Sequence, residues 1–256
     1  MKSIAFYNVK GGVGKTSSSI NIAYNLASIY NKRTLLVDLD PQSNATDFFD
    51  RYGTKYTVED LMTITDKQMS AKDVIVHTNY NNLDICPASL TLGRAEKVIM
   101  SNPNVPQQKL LSMAFQEIEN DYDYCIIDCS PSADSLINTN GLVVADCVYV
   151  PLKADKWATR GLDATINVIH TISKYNNSNL TFKGCFTCQW ENKIVNNFQY
   201  EQLKSDLGSK MLDIKIRKNK SVEEITYAGI PLEIYDTTGK ATEDYRNLTE
   251  FIVNNF

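Results

Sequence analysis

The chain reads as an α/β protein built on a mostly parallel, twisted β-sheet with helices on both faces. Three observations carry this reading. Apolar, β-rich runs alternate with helically spaced runs along most of the length, the pattern of strands joined by crossover helices. A glycine-rich turn lies between the first such strand and the first such helix. Two later strands carry aspartate at their carboxyl ends, at the edge where open α/β sheets face their ligands.

Strands are expected at 3–7, 34–39, 83–86, 124–128, 147–150, 182–188 and 212–216, each a short run rich in β-branched, aromatic or other apolar residues. The first helix is expected over 18–30. Residues 107–119 place Leu110, Leu111, Ala114, Phe115 and Ile118 at helical spacing. Residues 161–173 do so with Leu162, Thr165, Ile166, Ile169 and Ile172, and 241–253 with Ala241, Tyr245, Leu248, Phe251 and Ile252. No Pro/Gly-rich linker, low-complexity tract or internal repeat interrupts the series, so 1–256 is expected to be a single domain.

Composition works by exclusion. A hydrophobic content of 43% with 22% charged residues suits a globular chain with a substantial core and excludes a disordered one. No apolar run approaches membrane-spanning length, and the first residues run straight into a strand, so a cytoplasmic protein is expected. A net charge of −4 argues against nucleic-acid binding driven by overall charge, while leaving room for a local basic patch. The cysteines, Cys86, Cys125, Cys129, Cys147, Cys185 and Cys188, are scattered among apolar runs and are expected as buried thiols. Cys185-x-x-Cys188 has the spacing of an iron–sulfur ligand pair. It lies in an expected strand, however, where residues three apart point to opposite faces, and core packing is the expected role.

The turn Lys10-Gly11-Gly12-Val13-Gly14-Lys15-Thr16-Ser17 organises the chain. In such a loop the backbone N–H groups point inward at an anion, and the N-terminus of the following helix adds a favourable dipole. Lys15 is placed to reach the β- and γ-phosphates of a nucleotide, and the Thr16 hydroxyl to ligate Mg²⁺. The common pattern G-x-x-x-x-G-K-[ST] has glycine where this chain has Val9, and Lys10 opens the loop instead. In Leu35-Leu36-Val37-Asp38-Leu39-Asp40-Pro41-Gln42, two carboxylates reach the carboxyl end of a buried strand, a costly placement unless metal, water or a donor meets them. Taken alone, a solvated strand-end turn closed by Pro41 satisfies that pattern equally well. The apolar run Tyr124-Cys125-Ile126-Ile127-Asp128 has the form of a Walker B strand, whose carboxylate contacts the Mg²⁺ shell through water.

Together these stretches resemble the ParA/MinD family of deviant Walker A ATPases, and most of all its ParA/Soj-type DNA partition members. The likeness covers nearly the whole chain. It includes K-G-G-x-G-K-T-[ST] at 10–17 and D-x-D-P-Q at 38–42, with Asn44-Ala45-Thr46 following. A switch segment after Asp128 has Ser130 where the family's D-C-P-P-S has its first proline. Val150-Pro151-Leu152-Lys153-Ala154, Ala158-Thr159-Arg160-Gly161-Leu162 and Ala228-Gly229-Ile230-Pro231-Leu232 come in the family's order.

The resemblance implies a P-loop NTPase fold, ATP as the nucleotide and Mg²⁺ as the ion. It makes Lys10, Lys15 and Asp40 catalytic, with Asp40 orienting or polarising the attacking water. Thr16, Asp38 and Asp128 would surround the metal, and residues 10 through 17 would hold the phosphates. Cys129 keeps a structural role. Where the family reads I-P-R-N, this chain has Ile216-Arg217-Lys218-Asn219, which retains Asn219 for the adenine. Lys10 would cross to the phosphates of a second subunit, giving a homodimer with ATP sandwiched between two faces.

What such a switch controls divides the family between non-specific DNA and membrane. The segment 241–253 carries Glu243, Asp244 and Glu250 against Arg246, a poor match for anionic lipid. By contrast Lys215, Arg217, Lys218 and Lys220 cluster without an acidic neighbour, which fits contacts to a nucleic-acid backbone as well as a solvated charged loop. Lys153 and Arg160 are further surface candidates. The resemblance therefore implies a nucleoid-associated partition ATPase with a ParB-like, centromere-binding partner. The alternatives are a MinD-like membrane-positioning ATPase, nucleoid-based positioning of a protein cargo, and an iron–sulfur relative.

Overall fold

Alternation along the central strands divides the interior into two cores, one on each side of a sheet. A computed structural model describes residues 1–63, 69–155 and 158–256. Among them, eight strands form one sheet: β1 (Lys2–Phe6), β2 (Thr34–Leu39), β3 (Val76–His77), β4 (Leu83–Cys86), β5 (Tyr124–Cys129), β6 (Cys147–Lys153), β7 (Thr181–Trp190) and β8 (Met211–Arg217). Their spatial order is β3-β4-β2-β5-β1-β6-β7-β8. Every pairing is parallel except β3 with β4.

The helices are α1 (Lys15–Ser28), α2 (Asn44–Phe48), α3 (Val58–Thr63), α4 (Ala71–Val74), α5 (Leu92–Ser101), α6 (Leu110–Phe115), α7 (Leu136–Val144), α8 (Ala158–Tyr175), α9 (Ile194–Leu207), α10 (Lys220–Ala228), α11 (Leu232–Tyr235) and α12 (Lys240–Asn254). Ile4, Phe6, Leu36 and Ile126 point to the side covered by α1, α2 and α10 to α12. Their neighbours Ala5, Tyr7, Val37 and Ile127 point to the side covered by α3 to α9. This period of two, with both faces apolar, is what a parallel sheet buried by crossover helices requires.

The expected strands all form. β3 escapes sequence reading because it is two residues long and lacks a buried apolar face. The helix expected over 107–119 is α6 continued by a 3₁₀ turn, Gln116–Ile118, and it starts late because Lys109 N–H turns back to the Pro106 carbonyl. α1 begins at Lys15, inside the glycine-rich motif, rather than at 18. Cys185 enters one core and Cys188 the other, so the two thiols stand on opposite faces of β7. Burial pushes both thiols up, Cys188 to about 12.

The strand order sets the position of the site. β1 lies between β5 and β6, and the segments that leave its carboxyl end and that of β5 depart to opposite faces, into α1 and α7. A crevice opens where they diverge, as at the switch point of any doubly wound sheet.

Candidate active site

The glycine-rich loop fills that crevice. Gly12 and Gly14 have φ of 70° and 94°, left-handed values that side chains with a Cβ rarely adopt. At Gly14 space is tight as well, since a Cβ would stand 3.0 Å from the Cys188 sulfur, which would have to give way. Lys15, the first residue of α1, is buried, and its ammonium donates to the carbonyls of Asn8 (3.0 Å) and Lys10 (2.8 Å), closing the loop around itself. Burial pulls the Lys15 pKa down, against the opposing charges of Asp128, Cys129 and Asp40.

Asn8 was not singled out by sequence reasoning, yet it anchors the loop. Its amide donates to the Pro151 carbonyl, and its Oδ1 accepts from Lys10 N–H and from the Thr165 hydroxyl of α8. The only sequence signal was its place at the strand end, one residue before the departure at Val9.

Asp38 and Asp128 sit side by side in register across β2 and β5, both with no exposure to solvent. Burial raises both carboxyls. For Asp38, to about 6, hydrogen bonds from Asp40 and Thr46 resist the shift. For Asp128, to about 8, the charge of Asp38 adds to it while the Thr16 and Ser19 hydroxyls and Lys15 oppose it.

The two aspartates use their oxygens differently. Asp38 Oδ1 accepts the Asp40 N–H (3.0 Å), and Oδ2 accepts both the N–H (2.9 Å) and the hydroxyl (2.8 Å) of Thr46. Asp128 Oδ1 accepts the Ser19 hydroxyl at 3.0 Å, whereas Oδ2 is buried with no hydrogen-bond partner among the described residues. A buried carboxylate oxygen without a donor costs about 1–3 kcal/mol or more unless a cation or its water meets it. The orphaned Oδ2, on a carboxyl that the Thr16 hydroxyl also faces, therefore fits a divalent cation. Thr16 and Asp38 both stand beside Asp128, and Asp38 also uses both its oxygens in shaping the turn that carries Asp40. Asp40 Oδ1 in turn accepts the Gln42 N–H at 2.9 Å.

Lys10 lies outside the loop's inner ring. Its stem crosses α8 at Gly161, where a Cβ would come within 2.4 Å of Lys10 Cδ, and its ammonium pairs with Asp155.

A cleft beside the loop is lined by Gly14, Ser17, Cys188, Gln189, Ile216 and Asn219. Gln189 donates to the Gly12 carbonyl at 3.1 Å, tying the end of β7 to the loop. Asn219 borders this cleft, and its side chain accepts the Ser221 N–H and caps α10.

The four members of the basic cluster take different placements. Arg217 is bound to α12: its Nε donates to Asp244 Oδ2 (2.8 Å) and its Nη2 to Asp244 Oδ1 (2.6 Å) and Glu243 Oε2 (2.7 Å). Lys215 turns onto the rings of Tyr200 and Trp190, 3.8 Å and 4.6 Å from their centroids. Lys218 and Lys220 remain at the surface, each 3.9 Å from a glutamate, Glu191 and Glu224. Glu224 follows Lys220 by four residues on α10, whereas Asp244, Glu243 and Glu191 come from elsewhere in the chain, so their proximity was invisible in the basic segment itself.

The family model described as AAA domain matches residues 1–182. The chain is 32% identical to the sporulation initiation inhibitor protein Soj of Bacillus subtilis, with 99% of each chain covered. It is 30% identical to the chromosome-partitioning ATPase Soj of Treponema pallidum, over 98% of this chain and 97% of that one. Among solved structures, cobyrinic acid a,c-diamide synthase from Mycobacterium smegmatis with bound ADP and magnesium superposes with a TM-score of 0.85 at 23% identity, covering 99% and 94% of the two chains. A putative plasmid partition protein from Borrelia burgdorferi bound to AMPPNP gives 0.83 at 24% identity, covering 100% and 99%. The two structures share the fold.

Proposed function

The chain belongs to the ParA/MinD family of P-loop ATPases, its likeness being to the Soj proteins, and on that premise we propose that it is a partition ATPase whose ATP state sets its state of association. One observation carries the reading: the loop holds two lysines with different placements. Lys15 is sealed inside the loop, where a phosphate chain belongs. Lys10 stands outside it in a partly exposed ion pair, available to a second subunit.

In this proposal Lys10 through Ser17 hold the phosphates of ATP, Lys15 neutralises the β- and γ-phosphates, and Lys10 reaches those of the partner, so that triphosphate charge drives association. Asp40, propped by Asp38, orients the attacking water. Thr16 and Asp128 would hold Mg²⁺, which supplies charge neutralisation to the leaving phosphate oxygens. Asn219 and its neighbours border the adenine. Loss of the γ-phosphate weakens the dimer, so hydrolysis resets the switch.

The dimer binds DNA without sequence preference through exposed lysines, among which Lys218 and Lys220 are the members of the expected cluster that keep a surface position. A ParB-like partner stimulates hydrolysis, and the protein acts in the cytoplasm on the nucleoid as one domain. For the alternative of membrane docking, α12 offers no basic face: its Arg246 is bound to Glu233.

Mass in solution and retention on non-specific duplex DNA, each measured with ADP, with ATP and with AMPPNP, test the proposal. Dimers and DNA retention only with the triphosphates are the expected result. A monomer that hydrolyses ATP without ever associating would overturn it.

A further inference from the structure

The loop that leaves β5 after Cys129 is held by a single side chain from α7. Asn138 Oδ1 accepts the backbone N–H of Ser130 (3.0 Å) and its hydroxyl (3.1 Å), and Asn138 Nδ2 donates to the carbonyls of Ser130 (3.0 Å) and Ser132 (3.1 Å). These contacts use both donors and both lone pairs of the amide. Asn138 is buried, and so is Ser130. The Tyr7 hydroxyl adds a further bond to the Ser132 carbonyl at 2.8 Å.

The base of this clamp is itself fixed. Glu96 of α5 accepts from the Ser135 hydroxyl and from Ile137 N–H at the start of α7, and the Ser135 side chain accepts the Asn138 N–H. The clamped loop borders the phosphate loop directly, since a Cβ on Gly11 would lie 3.9 Å from the Pro131 ring.

We infer that Asn138 is a positioning residue: it holds residues 130–132 as one unit against the phosphate loop, and through them fixes where Asp128 Oδ2 stands relative to Lys15 and Thr16. Serine at 130 makes this necessary. Its N–H and hydroxyl are buried donors that need an acceptor, and Asn138 is the acceptor both find. Four bonds to one rigid amide break together, so the loop moves as a unit or stays. The part of this inference that concerns turnover rests on the ATPase reading; the part that concerns the loop does not.

The test compares the parental chain with Asn138→Ala, Asn138→Asp and Ser130→Ala. In nucleotide-free protein, amide exchange at Ser130 and Ser132 should accelerate about tenfold or more in Asn138→Ala, with the buried turns of α7 unchanged. Steady-state hydrolysis should fall about tenfold in kcat with KM held within about twofold, the signature of a misplaced group rather than of weakened binding. Asn138→Asp keeps the acceptor but sets carboxylate oxygen against the Ser130 and Ser132 carbonyls; it should show the same fall and serves if the alanine variant fails to fold. Ser130→Ala keeps the N–H bond and should stay within about threefold of parental turnover. Unchanged exchange at 130–132 and unchanged kcat in a folded Asn138 variant would overturn the inference, as would exchange rising across all of α7 with kcat, KM and melting temperature degrading in step. A parental chain that hydrolyses no ATP would strike the ATPase reading, and the exchange measurement would still decide whether Asn138 holds the loop.

Discussion

The ammonium of Lys10 and the carboxylate of Asp155 stand 3.2 Å apart, with the lysine stem lying in the notch that Gly161 leaves on α8. The contact keeps Lys10 folded against its own chain. Both groups are about a third exposed, so the pair is worth under about 1 kcal/mol and yields readily to a triphosphate. Asp155→Asn should raise ATP-dependent association by up to about fivefold, measured by sedimentation equilibrium. Lys10→Ala should abolish association while nucleotide affinity stays near parental; dimers that persist would remove Lys10 from the interface.

Lys15 and Asp40 should fail in distinguishable ways. Lys15→Ala removes the cation at the centre of the loop and should weaken nucleotide binding by about a hundredfold or more, read with a fluorescent nucleotide. Asp40→Ala should leave binding intact and lower turnover by at least about a hundredfold, leaving an ATP-bound dimer that persists on a sizing column. Parental turnover in that variant would exclude Asp40 from the reaction.

The Asp38 and Asp128 pair predicts a dependence on pH with a definite sign. Both carboxyls are raised in the folded state, to about 6 and about 8, above an ordinary value near 4. The folded protein therefore binds more protons than the unfolded chain between those limits, and its stability falls as pH rises through that window. Thermal melts of ligand-free protein should show a declining midpoint from about pH 5 to about pH 8. Asp128→Asn should flatten the decline and raise the midpoint at pH 8 by about 2–4 °C for each kcal/mol relieved, while abolishing hydrolysis. A ligand-free midpoint that climbs over the same range would show that the carboxylates are compensated in a way these bonds do not include.

Arginine and lysine within the basic segment should separate. Arg217→Gln breaks the guanidinium's bonds to Asp244 and Glu243 and should cost about 1–2 kcal/mol of stability in a urea titration, these groups being partly exposed. Lys218→Gln with Lys220→Gln should leave stability near parental and reduce both DNA affinity and its salt dependence, the log–log slope becoming shallower by about one for each phosphate that is no longer neutralised. DNA binding insensitive to this pair would direct attention to Lys153 and Arg160.

Much of the site was legible because its logic is local. Gly12, Gly14 and Lys15 fall within one short stretch of sequence, and the turn they make follows from their own conformational limits. The strand ending at Asp128 was legible for the same reason, and so was the separation of Cys185 from Cys188, which needs only the period of a strand. What sequence could not show was where distant elements meet. Arg217 and Asp244 are 27 positions apart, and nothing in either neighbourhood announces their pairing. Asn8 and Asn138 carry no motif, because an asparagine that satisfies a buried loop looks like any other asparagine until its partners are known. The motif gives the identity of Asp38, whereas the bonds it accepts from Thr46 depend on how α2 folds back and carry no signal in the sequence.

The contact between Gly14 and Cys188 also gives the molecule a natural reporter. The Cys188 sulfur is sealed behind the glycine, at the boundary between the phosphate loop and β7. An alkylating reagent can reach that sulfur only when loop and strand part. Site-resolved labelling of Cys188 in the unmodified chain, followed over time with and without nucleotide, would thus count the openings of the pocket without any introduced probe, and Cys125, buried in the opposite core, would serve as the internal clock for global unfolding.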